Sequence, residues 1–500
     1  ARPRHRLTPA RGMAKPRPMP DLRPVGVVIG LLVAALGASM LVPMILDAVS
    51  GSDHWTVFLE SAVVTALGGG LIALASANGV RARLTLQQTF LLTTGVWAAL
   101  PLFGALPFIL GATAARPVDA VFEAMSGLTT TGSTVFAGLD GLPQGLLLWR
   151  SMLQWFGGVG IIVVAMVFLP ELRIGGMQIF RSEAFETMGK ILPRAAQIAA
   201  RISAIYVALT LACAFAYAMV GMSAFDAVNH ALTTLSTGGF STRDASFGAF
   251  QGAPEYVASV FMILAALPFV RFVQVAAGSV RPFFRDSQIR AFMAVVLAVT
   301  LAMTVFRMVV NGDNPEHAFR EGIFNVTSIL TGTGYASVDY QLWGAFPVVV
   351  FFFLGLVGGC AGSTSCSVKI FRYQILFSAI GAQVRRIHSP SGVFAPRFEG
   401  QPVPQEVMAS VVSFFVIFVV SIGVMSVALG MTGLDFVTSL SGAATAIANI
   451  GPGLGDTIGP AGNFATLNDA AKWLLTVGML IGRLELLVVF AIFTRRFWRV

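Results

Sequence analysis

Four short stretches of this chain place carbonyls, hydroxyls and glycine where a bare cation could be held. They are Leu128-Thr-Thr-Thr-Gly-Ser-Thr134, Leu235-Ser-Thr-Gly-Gly-Phe-Ser241, Leu330-Thr-Gly-Thr-Gly-Tyr-Ala336 and Ile447-Ala-Asn-Ile-Gly-Pro-Gly453. Aligned on Gly132, Gly239, Gly334 and Gly451, they recur at intervals of 107, 95 and 117 residues. Each carries Leu or Ile four residues before its glycine. Glycine permits backbone angles that turn carbonyl oxygens toward one axis. Four such turns around an axis make rings of carbonyls and hydroxyls that can replace the water shell of a monovalent cation. One copy alone would read as a small-residue packing surface between membrane helices. Four copies, each between two spans and all on one face, point to a pore.

The elements that must position these turns are helical. An acid stands thirteen residues before the glycine in three copies, Asp119, Asp226 and Glu321; the fourth has Thr438 there and Asp435 one turn earlier. A helix from that acid to the turn is about 20 Å long at 1.5 Å per residue, too short for a hydrocarbon core of about 30 Å. It is also too apolar for water, so a re-entrant half-helix is expected, with irregular backbone lining a wet cavity. The acids are expected to sit at the helix starts, where they favour the exposed N–H groups and the positive dipole end.

Composition agrees with membrane burial. The 500 residues are 56% hydrophobic and 11% charged, with a mean hydropathy of +0.78. Spans are expected near 25–46, 57–77, 88–111, 145–169, 198–220, 255–278, 289–311, 342–372, 405–430 and 471–497, ten in all. Residues 1–24 read as a basic, Pro-rich disordered tail; Met13 is a candidate start, and no cleaved signal peptide is expected. With ten spans both termini share a side, and that side receives 26 of the 33 lysines and arginines. The termini are therefore expected in the cytoplasm and the glycine turns enter from outside. The net charge of +9 thus reflects membrane orientation and not nucleic-acid binding. Cys213, Cys360 and Cys366 form neither a disulfide framework nor a metal-ligand spacing. No phosphate loop, nucleophile elbow or paired intramembrane carboxylates occur, which argues against an enzyme. Gly451-Pro-Gly-Leu-Gly455 follows no strand and is not a dinucleotide turn.

Two further features stand inside the expected spans. Gly358-Gly-Cys-Ala-Gly-Ser-Thr-Ser-Cys-Ser-Val-Lys369 is a poor helix and should unwind in mid-membrane. Arg483 lies twelve residues into the last span, where an unpaired arginine costs about 2.5–3.5 kcal/mol on insertion scales. Glu485, two residues on, would point away from it on a helix.

Taken as a set, the four turns, the ten spans and the broken eighth span resemble the TrkH/TrkG/KtrB superfamily of potassium uptake proteins, closest to its TrkH branch, over residues 25–500. The resemblance implies an all-α polytopic membrane protein, with ten transmembrane helices plus four re-entrant pore half-helices. It implies two extra N-terminal helices (25–80) and four membrane-pore-membrane repeats (81–190, 191–285, 286–395 and 396–500) around a central pore. The filter implied is Thr130, Thr131 and Gly132; Thr237, Gly238 and Gly239; Gly332, Thr333 and Gly334; and Asn449, Ile450 and Gly451. Potassium would meet Thr131, Gly132, Gly238, Gly239, Thr333, Gly334, Ile450 and Gly451. Related plant sodium transporters carry serine at the first glycine, so Gly132 favours potassium. The loop 358–369, with Gly358, Gly359 and Gly362, would gate flow together with Arg483, which the family places in the pore. The resemblance also implies a homodimer in the bacterial inner membrane, controlled by a TrkA-like cytosolic protein that binds NAD- or ATP-type nucleotides. Two rivals are a sodium-dependent or poorly selective cation transporter of this architecture and a secondary carrier for an organic solute.

Overall fold

The structure, a computed structural model, describes residues 21–79, 84–164, 176–177, 179, 195–495 and 497–499. Most of the N-terminal tail, and most of the basic 170–201 loop with Arg81 and Arg83, lie outside the described residues. Within them the regular structure is helical apart from a small ribbon, Arg397–Phe398 against Gln401–Pro402, and an isolated bridge between Val357 and Val368. A backbone in lipid must satisfy its own polar groups, and helices do so within one segment.

Among the described residues, seven helical segments are long and apolar enough to cross a membrane: Arg23–Val49, Trp55–Ser76, Leu86–Leu110, Gln144–Val163, Ala199–Met219, Ser287–Asn311 and Gln405–Gly430. The first two pack through small residues. A Cβ on Gly30 would sit 2.5 Å from Ala73 N, so only glycine allows this approach. At one end of this pair, buried Asp47 accepts from Gly145 N (2.7 Å) and lies 3.0 Å from His54 Nδ1. That ties the pair to the helix Gln144–Val163.

The other three expected spans are interrupted. Ala253–Ala265 and Phe269–Ala276 meet at 90°, where an unbroken span was expected. Pro268 lacks the N–H that would continue the helix. The eighth span is Ala345–Gly355, then irregular backbone, then Ile370–His388. The last is Asp469–Arg483 followed by Leu487–Ile492, and Glu485 and Leu486 between them have positive φ. Its continuous helix was expected and is not found.

Four short helices lie between these spans: Pro117–Leu128, Ala224–Leu235, Pro315–Thr331 and Phe436–Ala448. They are buried on nearly all sides. The third is longer than expected, so Glu321 lies in its second turn and not at its start. Asp119 and Asp226 stand in the first turns of their helices as expected, but they are not the capping acceptors. Ser223, Asn314 and Asp435 accept the first free N–H groups, at 3.0 Å each. Asp119 instead pairs with Arg116 (2.8 Å) and Lys472 (2.6 Å), and Glu321 pairs with Arg307 (2.6 Å).

Candidate functional site: a four-turn ring and the loop beneath it

All four short helices end alike. The residue two before each key glycine is left-handed: Thr130 (φ 50°), Thr237 (φ 51°), Gly332 (φ 78°) and Asn449 (φ 54°). In three turns the next N–H then reaches back to the carbonyl five residues earlier: Thr131 N to Ser126 O (2.9 Å), Gly238 N to Thr233 O (2.9 Å) and Ile450 N to Thr445 O (3.0 Å). In the third turn Gly334 N makes the return bond, to Ser328 O at 3.2 Å. These bonds satisfy the last helical carbonyls and send the chain back outward. Gly132, Gly239 and Gly334 themselves have φ of 85°, 75° and 80°, which only glycine adopts without strain. Gly451 does not share that conformation.

The four turns close into a ring in chain order. A Cβ built on Gly132 would run into Gly238 O, and one on Gly239 into Thr333 O. One on Gly334 would lie 2.6 Å from Gly451 N, and one on Gly451 3.3 Å from Gly132 C and O. Ser133 Oγ donates to Gly451 O (2.8 Å) and Asn449 Nδ2 to Thr131 Oγ1 (2.9 Å), joining the first and last turns. The Thr131 and Thr333 hydroxyls are each held by the threonine two residues before, at 2.7 Å. Gly132, Gly239, Gly334 and Gly451 together floor a vestibule of about 290 Å³.

A second layer holds the ring in shape, and sequence reasoning missed it. Nine residues before the key glycine stand Glu123, His230 and Asn325. Glu123 accepts from Thr134 Oγ1 (2.9 Å) and Val135 N (2.9 Å). His230 Nε2 lies 3.0 Å from Ser241 Oγ, and Asn325 Nδ2 donates to Ser337 Oγ (3.0 Å). In the fourth repeat Ser441 takes this part, accepting from Leu454 N at 2.9 Å. Each grips the strand that leaves its turn. The available signal was a polar residue at one fixed offset, disguised because its type changes. Arg150, 1% exposed, joins two repeats: it donates to Glu123 (2.8 Å) and to Ser241 O (2.8 Å). Gln154 donates to Gly238 O (2.6 Å) and accepts from Phe240 N (3.0 Å).

The loop 356–369 passes directly under the ring. Cys366 N donates to Thr331 O (3.3 Å), Ser367 N donates to Ala448 O (3.0 Å), and Cys366 Sγ lies 3.5 Å from Thr130 Oγ1. The loop thus touches the ends of three of the four short helices. Its own backbone is stitched to the break in the sixth span. Cys360 N and Thr364 N donate to Ala266 O (3.0 Å) and Ala265 O (3.3 Å), and Phe269 N donates to Gly362 O (3.0 Å). Two breaks in one membrane protein satisfy each other's free polar groups, which lipid cannot do. Gly358 faces Cys366 O so closely that a Cβ there would collide with it, and Gly359 N donates to Ser365 Oγ (2.8 Å).

Arg483 is 4% exposed and reaches the same loop. Its Nη1 donates to Cys366 Sγ (2.9 Å) and its Nη2 to Gly157 O (3.4 Å). Its partner in the loop is therefore a thiol. Glu485 pairs with Arg372 of the eighth span. Ser363, Ser365, Cys366, Ser367 and Lys369 of the loop line a small chamber below the ring, together with Asn449, Arg483 and Glu485. The ring glycines line the vestibule on one side, and Asn449 of the fourth turn lines the chamber together with the loop.

The sequence profile of the TrkH family, described as cation transport proteins, matches residues 54–498. The Trk system potassium uptake protein TrkI of Halomonas elongata is 43% identical over 95% of this chain and 97% of its own length. The Trk system potassium uptake protein TrkH of Vibrio parahaemolyticus is 36% identical over 94% of this chain and 98% of its own. The crystal structure of the potassium transporter TrkH from that organism superposes with a TM-score of 0.87 at 34% identity, covering 95% of this chain and 99% of the other. Turns, ring and relatives agree: the chain belongs to the TrkH family of cation transport proteins.

Proposed function

We propose that this chain carries potassium inward across the bacterial cytoplasmic membrane, through a filter made by its four turns. The observation that carries the reading is the closed ring of Gly132, Gly239, Gly334 and Gly451 at the floor of the vestibule. Carbonyls of Thr131, Gly132, Gly238, Gly239, Thr333, Gly334, Ile450 and Gly451 replace the hydration shell of the ion. Thr130, Thr237, Gly332 and Asn449 supply the left-handed turns that aim them. No formal charge stands in the ring, so the ion is held weakly enough to leave. The relatives are named as potassium uptake proteins, which favours potassium as cargo.

The loop 356–369 and Arg483 form the gate. A cation about 5 Å from the guanidinium, at an effective dielectric of about 20, meets a barrier of about 3 kcal/mol. The weight of lysine and arginine on one side places both termini in the cytoplasm. The chain divides into an N-terminal helix pair and four repeats with the boundaries given above. It works as a homodimer, and a TrkA-like nucleotide-binding protein pulls on the lower half of the eighth span to open the gate. The test is rubidium uptake into vesicles holding the purified protein, with sodium as competitor. Uptake that excess sodium leaves largely intact supports the reading. Equal competition by sodium overturns potassium selectivity in favour of a poorly selective cation path.

A further inference from the structure

The chamber beneath the ring has an imbalance of charge. Its lining includes Lys369, Arg372 and Arg483 against one carboxylate, Glu485. Glu485 is taken by Arg372. Lys369 Nζ donates to Ser365 O, and Arg483 donates to the Cys366 thiol and to Gly157 O. All three acceptors are formally neutral groups. Lys369 and Arg483 are 8% and 4% exposed, so two cationic side chains are buried with no carboxylate of their own among the described residues. A buried charge without a counter-charge is among the most costly features a protein can hold.

Two polar atoms at the same place are also unused. Arg483 Nε and Ser367 Oγ are buried, line the chamber and have no hydrogen-bond partner. Both can donate, and donors beside surplus positive charge are the chemistry that binds an anion. The centre of a water-sized sphere can range over about 30 Å³ of the chamber, above the roughly 10–15 Å³ that one water needs. The chamber therefore has room for a small ion.

The geometry points to a binding site for one halide-sized monovalent anion, held by Arg483 Nε, Lys369 Nζ and Ser367 Oγ while the loop lies closed under the ring. The anion supplies the missing counter-charge and locks Arg483 and the loop together. The anion is released when the loop moves away from Arg483. The consequence for flux rests on the reading of the loop as a gate; occupancy of the site does not.

The test therefore reads occupancy. Crystals of the full chain, purified in the absence of any nucleotide-binding partner, are soaked in sodium bromide and the anomalous signal of bromine is mapped. One peak is expected within hydrogen-bonding reach of Arg483 Nε and Lys369 Nζ, and it is lost in Lys369→Met. Arg483→Gln, which keeps a side-chain donor but removes the charge, is the second variant and should also lose the peak. No peak in the unmodified protein overturns the inference. A peak that survives both substitutions overturns it as well, because the surplus charge would not be what holds the ion.

Discussion

The four ring glycines should not be equally sensitive to a methyl group, and the difference follows from the backbone. At Gly334 a Cβ would lie 2.6 Å from Gly451 N, and at Gly132 and Gly239 it would overlap a carbonyl oxygen of the next turn. Ordinary contact between carbon atoms is about 3.5–4.0 Å, so the neighbouring strand must move by about an ångström. The positive φ at these three positions adds about 1–2 kcal/mol of strain for any L side chain. At Gly451 the nearest atoms are 3.3 Å away and φ is not positive, so a shift of a few tenths of an ångström suffices. An energy of 1–2 kcal/mol corresponds to a factor of about 5–30 in an equilibrium. Gly132→Ala, Gly239→Ala and Gly334→Ala are therefore expected to lower the potassium-to-sodium permeability ratio by about that factor, while Gly451→Ala stays close to the unmodified protein. Gly132→Ser should act in the same direction and raise sodium permeation. The assay is the reversal potential of purified protein in planar bilayers under potassium and sodium gradients. An equal loss at all four positions, or a greater loss at Gly451, would refute the ring geometry as the source of selectivity.

Three other perturbations test neighbouring parts of the argument. Arg483→Ala removes a barrier of about 3 kcal/mol, so partner-free rubidium flux into vesicles should rise, by up to about a hundredfold, with selectivity intact; unchanged flux in a normally folded variant would move the gate elsewhere. Glu123→Ala leaves buried Arg150 without its carboxylate and should cost about 3–5 kcal/mol, read as a lower melting temperature in detergent. Glu123→Ala with Arg150→Met should recover much of that loss, and a double variant no better than the single one would contradict the pairing. Between the segments that follow the first two turns, Arg243 donates to Asp140 (3.0 Å) and holds its carboxyl below the usual range. A depressed carboxyl contributes stability above its unfolded value near pH 4, and that share is lost as pH falls through the folded value. The melting temperatures of the unmodified protein and Asp140→Asn should therefore differ at pH 7 and converge below about pH 4; a constant gap across that range would exclude the pair.

Much of the architecture was written locally. Helix length, a left-handed residue and a glycine at a fixed spacing decide where each short helix stops, and such decisions involve only a few neighbouring residues. The four turns and the unwound stretch around Gly358–Lys369 were legible for that reason. Glu321 was misplaced because an acid was taken as the start of a helix that Asn314 and Pro315 had already begun. Glu123, His230 and Asn325 escaped notice because their common task, gripping the strand that leaves the turn, can be done by three different polar groups. The breaks at 266–268 and 484–486 could be located only in three dimensions. A broken helix in lipid is tolerated when its free N–H and C=O groups, and any charge near them, find partners. Here Ala265 and Ala266 find Thr364 and Cys360, and Arg372 finds Glu485. Those partners lie about a hundred residues apart in sequence, at 99, 94 and 113 positions, and no local pattern encodes which break will face which. The tertiary structure decided it, because water is absent at that depth and only another part of the same chain can satisfy the exposed groups.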